Sequence, residues 1–322
     1  MTKVKEAATA PAQTRCMARR PSPAMLMRAP HRLLFFIGAS NLLLALAGWS
    51  AGLIALGRVL KAAGPNRNWH ARACYAALLL GWLGLLLFMV VVRGHATLMP
   101  VTVALGTFGL LLPVYLTVAH RMIPFFANNV VDGYVPWRPL RWLAAMWVLL
   151  MLRLLLSALQ VDHLLWLADA PLLLSLQALW HWWPRGPMPG LLAALFLALA
   201  WLPISFALYL LQDIGHLLGH PQLLGRAPLH ALAVGLFGSL LVAMVTRVTQ
   251  GHSGRPLVMP AVAWFAFVAL QVVAIMRIVA ELMPDAYAWH FAAAIGWLLA
   301  LALWVARLGW IYLSPRRDGK PG

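Results

Sequence analysis

Residues 228–256 (PLHALAVGLFGSLLVAMVTRVTQGHSGRP) form an apolar stretch that is bounded by side chains able to bind metals and anions. His230 stands near its start, and Arg247, His252 and Arg255 stand near its end. An imidazole nitrogen can bind a haem iron or a copper ion, and a guanidinium pairs with a haem propionate or another anion. Lipid anchoring alone does not explain such groups at both ends of one span, so the pattern indicates cofactor binding.

The spacing separates the two histidines of this stretch. His230 and His252 are 22 residues apart, which corresponds to about 33 Å along a continuous helix. They therefore serve separate sites on opposite sides of the membrane, or only one of them is a ligand. Gly235 and Gly238 lie between them and permit the close approach of a neighbouring helix or of a flat macrocycle.

His120 is a third candidate ligand. It follows a long apolar run and precedes Arg121 and Pro124. The proline is expected to interrupt the helix, and a nearby ligand or helix could partner the backbone groups that it frees. The alternative is an interfacial patch that ends the helix, with Arg121 among the lipid headgroups. The residues alone leave both interpretations open.

The other histidines carry weaker signals. His216 and His220 are spaced i, i+4, which would place them on one helix face, but the following Pro221 indicates a frayed helix end with a solvated pair. The remaining histidines lie near predicted membrane interfaces, several beside tryptophan, where such side chains are expected without a ligand. They are His31, His70, His95, His163, His181 and His290.

Three arginines fall inside predicted spans, where an isolated charge is costly and needs a partner. They are Arg153, Arg277 and Arg307, and the acids available to them are Asp162, Asp169, Asp213 and Glu281. Haem propionates are alternative partners, and an arginine within two turns of a helix end can instead extend to the headgroups.

Membrane helices must position all of these residues. Of the 322 residues, 63% are hydrophobic and only 10% are charged, which is typical of an integral membrane protein. Apolar runs of about 20 residues can cross the hydrocarbon layer. The sequence predicts an all-α, polytopic transmembrane helical bundle of about nine spans, with eight to ten possible. They lie near residues 33–56, 73–92, 98–119, 140–160, 163–181, 190–211, 228–249, 257–280 and 287–313. The fifth contains Asp169 and Pro171 and could instead be re-entrant or interfacial.

The domain organisation follows from these spans. A basic amino-terminal tail (1–32) precedes a single transmembrane bundle (33–313), and a basic carboxyl-terminal tail (314–322) follows it. The net charge is +17, but the cations of the first tail are spread out without interleaved aromatic residues, so they indicate lipid headgroups or topology rather than nucleic acid. The two cysteines, Cys16 and Cys74, form neither a CxxC metal site nor a CxxCH haem attachment site.

The cations also orient the spans. They concentrate in the loops after the first, third, fifth and seventh spans and in the carboxyl-terminal tail, which the positive-inside rule places in the cytoplasm. With nine spans the amino-terminal tail then lies outside, against its own cations. A miscounted span near the start, or the loss of an odd number of spans there, would explain the conflict.

Four separated stretches resemble the NnrS family, which comprises haem- and copper-containing inner-membrane proteins associated with the bacterial response to nitric oxide. PHRLLFFIG at residues 30–38 resembles the start of the family's first helix, and AHRMIPFF at residues 119–126 resembles its mid-chain signature. Residues 229–257 resemble its most specific segment, and PRRDGKPG at residues 315–322 resembles its carboxyl-terminal ending.

The resemblance implies a multi-pass protein of the bacterial inner (cytoplasmic) membrane that binds haem and copper and acts in nitrosative stress and denitrification. It favours His120, His230 and His252 as metal ligands and Arg121, Arg247 and Arg255 as anion partners, with nitric oxide as a partner molecule. The first third departs from the family, whose members have about twelve spans and a His-rich WHAHEM-type segment. Here only Trp69-His70-Ala71 echoes that segment.

Two other classes of function stay open at this point. A transporter of a small anionic or haem-like molecule would also use intramembrane arginines and broken helices. A non-catalytic assembly or scaffold protein is the other possibility, and metal content per chain would distinguish it from a protein with two metal centres.

Overall fold

The computed structural model describes residues 30–64 and 68–317, and the side chains of its first helix from residue 40 onward. Nearly all of the basic amino-terminal tail predicted at residues 1–32 lies outside the described residues, as do residues 318–322. Contacts divide the chain into two compact units, Met1–Ala51 and Gly52–Gly322. Every site discussed below lies in the second unit.

The described residues form nine principal helices and no strand, which confirms the predicted all-α bundle. The helices are α1 (Pro30–Ala62), α2 (Trp69–Val92), α3 (Ala96–Asn128), α4 (Leu140–Ala158), α5 (Pro171–Trp182), α6 (Gly190–Leu217), α7 (Ala227–His252), α8 (Ala261–Ala280) and α9 (Ala286–Tyr312). Within the described residues, eight of these helices are long and apolar enough to cross a membrane, and α5 is the exception. With 12 residues, α5 is only about 18 Å long.

The chain nevertheless crosses the bundle at α5, by means of a broken helix. Arg153 and Asp213, near the carboxyl ends of α4 and α6, lie 2.8 Å apart between Nη1 and Oδ2, so these two helices run parallel and the chain must return between them. Trp182, which ends α5, packs on Trp142 at the start of α4, with ring centroids 5.4 Å apart. The return consists of a 3-10 helix, Asp162–Ala168, followed by α5. It coincides with the fifth predicted span.

Two of the crossing helices contain π-helical stretches, Leu105–Leu111 in α3 and Ala231–Gly238 in α7. In the second stretch the indole of Trp201, from α6, lies directly against Gly235, and a Cβ added at this position would collide with it. Of the two interpretations of this glycine, the structure therefore supports helix packing. The space beside Gly235 is filled by Trp201 and holds no flat macrocycle.

α3 continues through Pro124 to Asn128, so the expectation that this proline interrupts the helix is wrong. Membrane helices commonly tolerate a proline within their length. His120 is consequently a mid-helix residue with only 1% of its surface exposed. That burial does not fit an interfacial patch among lipid headgroups.

Candidate metal and cofactor sites

His120 meets a second histidine that the sequence assigned to the membrane interface. His70, the second residue of α2, places its Nε2 atom 3.0 Å from Nδ1 of His120, and the two rings stack with centroids 5.2 Å apart. The ring of His120 also stacks on the indole of Trp142, and the angle between the two ring planes is 8°. Two imidazoles from different crossing helices are thus held together against an aromatic side chain.

The hydrogen bonds of this pair determine which ring nitrogen is free. Nε2 of His120 lies 3.3 Å from the carbonyl oxygen of Pro139, and a carbonyl oxygen can only accept, so this nitrogen carries the proton. In the neutral ring Nδ1 of His120 is then an acceptor, and Nε2 of His70 donates to it. Nδ1 of His70 is left with a lone pair. His70 is therefore the member of the pair that is able to bind a metal, and His120 fixes its tautomer, as second-layer partners of metal-bound histidines do.

The loop that carries Pro139 is itself anchored. Tyr134 donates a hydrogen bond to the backbone oxygen of Trp182 at 3.0 Å, and the indole nitrogen of Trp182 donates to the oxygen of Trp137 at 2.8 Å. Burial raises the pKa of Tyr134 to about 12, so its hydroxyl stays protonated and remains a donor. This anchoring holds the Pro139 carbonyl in place for His120.

Two arginines place positive charge near this histidine pair. Arg121, the next residue of α3 after His120, and Arg138, just before Pro139, bring positive charge near His70. Arg121 is exposed and can pair with an anion that approaches from outside the bundle. A haem iron would be held by His70, and these cations would suit the haem propionates.

His230 is the centre of a second cluster at the opposite end of α7 from His252. Its Nδ1 atom lies 3.7 Å from Oε1 of Glu281, at the end of α8, and the same oxygen lies 3.2 Å from Nε2 of His290 in α9. The backbone nitrogen of Arg226 donates to the other carboxylate oxygen at 3.1 Å. His230, Glu281 and His290 offer ligand atoms that all lie within 4.8 Å of one another.

The donor types of this His230 cluster (His230, Glu281 and His290) fit a transition-metal ion. Imidazole nitrogens suit copper, zinc and iron, and a carboxylate oxygen can complete such a site. Nδ1 of His230 is buried and has no hydrogen-bond partner, so an ion could take this position without breaking a hydrogen bond of the bundle. Among the described residues no other group of at least three histidine, cysteine or acidic side chains is arranged in this way.

Arg277 determines which nitrogen of the His230 ring carries the proton. Its Nη2 atom lies 3.1 Å from Nε2 of His230, and a guanidinium can only donate, so Nε2 is the acceptor. In the neutral ring the proton then sits on Nδ1, directed towards Glu281. An ion that binds at Nδ1 must displace this proton, and Arg277 must release Nε2 so that the ring can be protonated there.

The third predicted ligand stays apart from both clusters. His252 is the last residue of α7 and is exposed, at the opposite end of this helix from His230. Nearby, Arg247 packs its guanidinium carbon 4.0 Å from the ring centroid of Phe126. Nη1 of Arg255 is buried without a hydrogen-bond partner, which suits an anion as its missing acceptor.

Two further groups of polar residues from the sequence have defined positions. Arg153 pairs with Asp169 and Asp213, two of the acids considered as its partners. His216 lies in the last turn of α6 and His220 lies beyond its end, so the pair does not share a helix face, in agreement with the frayed end expected there.

Sequence reasoning did not place His70, Glu281 and His290 in these clusters. For His70 a signal existed, because Trp69-His70-Ala71 echoes the family's His-rich segment. For the other two the signal was weak, since an acid four residues after Arg277 and a histidine beside Trp289 are ordinary features of helix ends.

A comparison with protein families matches residues 31–316 to the family described as NnrS protein. The match covers most of the chain and includes all of α2. No curated protein and no solved structure matches the chain.

Proposed function

Because the chain belongs to the NnrS family, we propose that this multi-pass membrane protein binds haem and copper in the bacterial inner membrane and acts in the response to nitric oxide. The observation that carries the proposal is the His230 cluster. It joins two imidazoles and a carboxylate from three crossing helices around a buried nitrogen that has no hydrogen-bond partner.

The copper site consists of His230, Glu281 and His290. Each ligand comes from a different helix, so the position of the site depends on the packing of the bundle rather than on one flexible loop. Glu281 also accepts a hydrogen bond from the backbone of Arg226, which orients its carboxylate. Arg277 adjusts the protonation of His230 from the other side of the ring.

His70 would hold the haem iron, and His120 would fix the tautomer of His70 through their hydrogen bond. Arg121 supplies a cation beside this site. Arg247, in α7, and Arg255, just after its end, provide further positive charge for an anionic group. When bound, haem iron and copper supply redox chemistry and a coordination position for a small diatomic molecule such as nitric oxide.

Metal content and visible absorption of the purified protein test the proposal. The protein purified from cells supplied with iron and copper is expected to contain both metals and to show a Soret band. His290→Ala and Glu281→Gln should each lower copper at least tenfold and leave the Soret band, whereas His70→Ala should abolish the band. His120→Ala should weaken or shift the band without removing it, because His120 acts through His70.

The matched control is His95→Ala, since His95 is an exposed histidine outside both clusters and its loss should change neither signal. Survival of cells under nitric oxide gives the physiological measurement, and His290→Ala and His70→Ala should each reduce it. Wild-type protein that contains neither metal nor haem would refute the proposal.

A further inference from the structure

A buried ion triad, formed by α4, α6 and the break before α5, lies apart from both clusters. Nη1 of Arg153 lies 2.6 Å from Oδ1 of Asp169 and 2.8 Å from Oδ2 of Asp213. Nη2 of Arg153 also donates to Oδ1 of Asp213 at 3.3 Å. No side chain of this triad exposes more than 5% of its surface. Two ionised carboxylates with one guanidinium would leave one excess negative charge.

The triad lies inside the hydrophobic part of the bundle. Arg153 and Asp213 precede the ends of their helices by five and four residues, which places them about 6 to 8 Å within the helical segments. Asp169 lies at the break between the 3-10 helix and α5. An excess charge at such a depth is expensive, so it is normally neutralised by a counter-ion or by protonation.

The described surroundings supply no second cation. The rings of Tyr209 and Phe108 cover the guanidinium, with centroids 4.4 and 5.4 Å from its central carbon. The other ionisable groups at this end of α4, α6 and the 3-10 helix are Asp162 and His163, which are exposed, and His216, which is half-buried. Arg141 of α4 and His181 of α5 belong to the opposite ends of their helices. Aromatic faces stabilise the positive charge of Arg153 but cannot neutralise a carboxylate.

One oxygen of the triad has no partner. Both oxygens of Asp213 and Oδ1 of Asp169 lie within hydrogen-bond distance of the guanidinium, whereas Oδ2 of Asp169 is buried and accepts no hydrogen bond. A metal cation such as calcium would need six or more oxygen ligands at about 2.4 Å, and a single free oxygen cannot provide them. A proton needs only one.

We propose that the Arg153–Asp169–Asp213 triad is a proton-binding site in which Oδ2 of Asp169 holds the proton. Uptake converts the Asp169 carboxylate into a carboxylic acid, and the charge of the triad changes from minus one to zero. Oδ1 of Asp169 remains an acceptor for Arg153. The proton exchanges with the aqueous side on which α4 and α6 end, because the 3-10 helix leads from exposed Asp162 to Asp169.

Infrared spectroscopy in lipid near neutral pH tests this assignment. An ordinary aspartate has a pKa of about 3.9 and is ionised there, so a carboxylic acid C=O band is diagnostic. The wild-type protein is expected to show such a band, with a shift in D₂O. Asp169→Asn removes the acid and should abolish the band. Asp213→Asn should also abolish it, because Arg153 and an ionised Asp169 then form a neutral pair.

Two controls separate this band from other acids. Asp162→Asn, at an exposed position, and Glu281→Gln, in the His230 cluster, should each leave it unchanged. If the triad variants fail to fold, ¹³C labelling of aspartate in the wild type serves instead, because of the described aspartates only Asp169 and Asp213 are buried. Absence of the band in the wild type, its survival in Asp169→Asn or Asp213→Asn, or its failure to shift with the label would overturn the proposal.

Discussion

At the scale of single residues, the identity of each hydrogen-bond partner decides what a histidine can do. The carbonyl of Pro139 can only accept, and it leaves His70 with a free lone pair. The guanidinium of Arg277 can only donate, and it directs the ring proton of His230 towards Glu281. The first arrangement favours metal binding, whereas the second opposes it until Arg277 moves.

A prediction about Arg277 follows from that contrast. Arg277→Gln should strengthen copper binding at the His230 cluster about tenfold, which corresponds to about 1.4 kcal/mol. Glutamine carries no positive charge and can either donate to Nε2 or accept from it, so both tautomers of His230 become available. The measurement is a competition titration with a copper chelator.

Arg277→Lys is the matched control, because lysine keeps the charge and the donor, and its copper affinity should stay close to that of the wild type. Weaker binding in Arg277→Gln than in the wild type would show that Arg277 supports the site instead of opposing it.

At the scale of elements, small residues and helix breaks determine how the crossing helices approach one another. Gly235 admits the indole of Trp201 between α6 and α7. The indole nitrogen donates to Gln271 of α8, and Gln271 in turn donates to Ser239 of α7 at 2.7 Å. Three helices therefore meet at one packed and hydrogen-bonded position.

Gly235→Ala should lower the free energy of unfolding by about 1 to 3 kcal/mol, because the new methyl group overlaps the Trp201 ring. Thermal unfolding in detergent is the measurement. Gly238→Ala is the control in the same π-helical stretch, since the nearest atom to an added Cβ there is at 3.6 Å, an ordinary contact.

Trp201→Phe by itself should lower stability, because it removes the hydrogen bond to Gln271. In the Trp201→Phe background Gly235→Ala should cost less than in the wild type, since the smaller ring makes room for the methyl group. Equal stability of the two glycine variants would contradict the account of Gly235 as a close-approach position.

At the scale of the whole molecule, the two candidate clusters belong to opposite ends of the crossing helices. His70 lies at the start of α2, and His230 lies at the start of α7. Between these two helix starts the chain makes five crossings, α2, α3, α4, the broken segment with α5, and α6. The odd number places the clusters towards opposite faces, and the basic loops share the face of the His70 cluster.

Cysteine labelling tests this number of membrane crossings. In a cysteine-free background, single cysteines at exposed Asp132 and Arg185 should react with a membrane-impermeant reagent from one side of the membrane. Cysteines at exposed Gln160 and His220 should react from the other side. The reason is that the segment 162–182 crosses the bundle, so Gln160 and Arg185 lie on different faces.

Labelling after solubilisation in detergent, where all four positions should react, is the control. Reaction of Gln160→Cys and Arg185→Cys from the same side would mean that the segment 162–182 is re-entrant.

The sequence predicts most of the membrane crossings, whereas it predicts only some members of the two histidine clusters. The predicted spans agree with the helices to within a few residues at most ends, because an apolar run of about 20 residues identifies a crossing by itself. His230 stood out because it opens such a run. His290 did not, since a histidine beside a tryptophan at a helix end is ordinary, and only the contact with Glu281 distinguishes it.

The sequence by itself determined the all-α class, the family, the crossings and the sided distribution of basic loops. Each of these depends on local composition, such as the hydrophobic content of a span or the number of cations in a loop. Only the tertiary structure decided which polar groups meet. His70 and His120 are 50 residues apart in the chain, and Arg153 and Asp213 are 60 residues apart, yet each pair is in hydrogen-bond contact. Helices pack through apolar faces that look alike in sequence, so which faces meet depends on their shapes and on the satisfaction of each buried polar group.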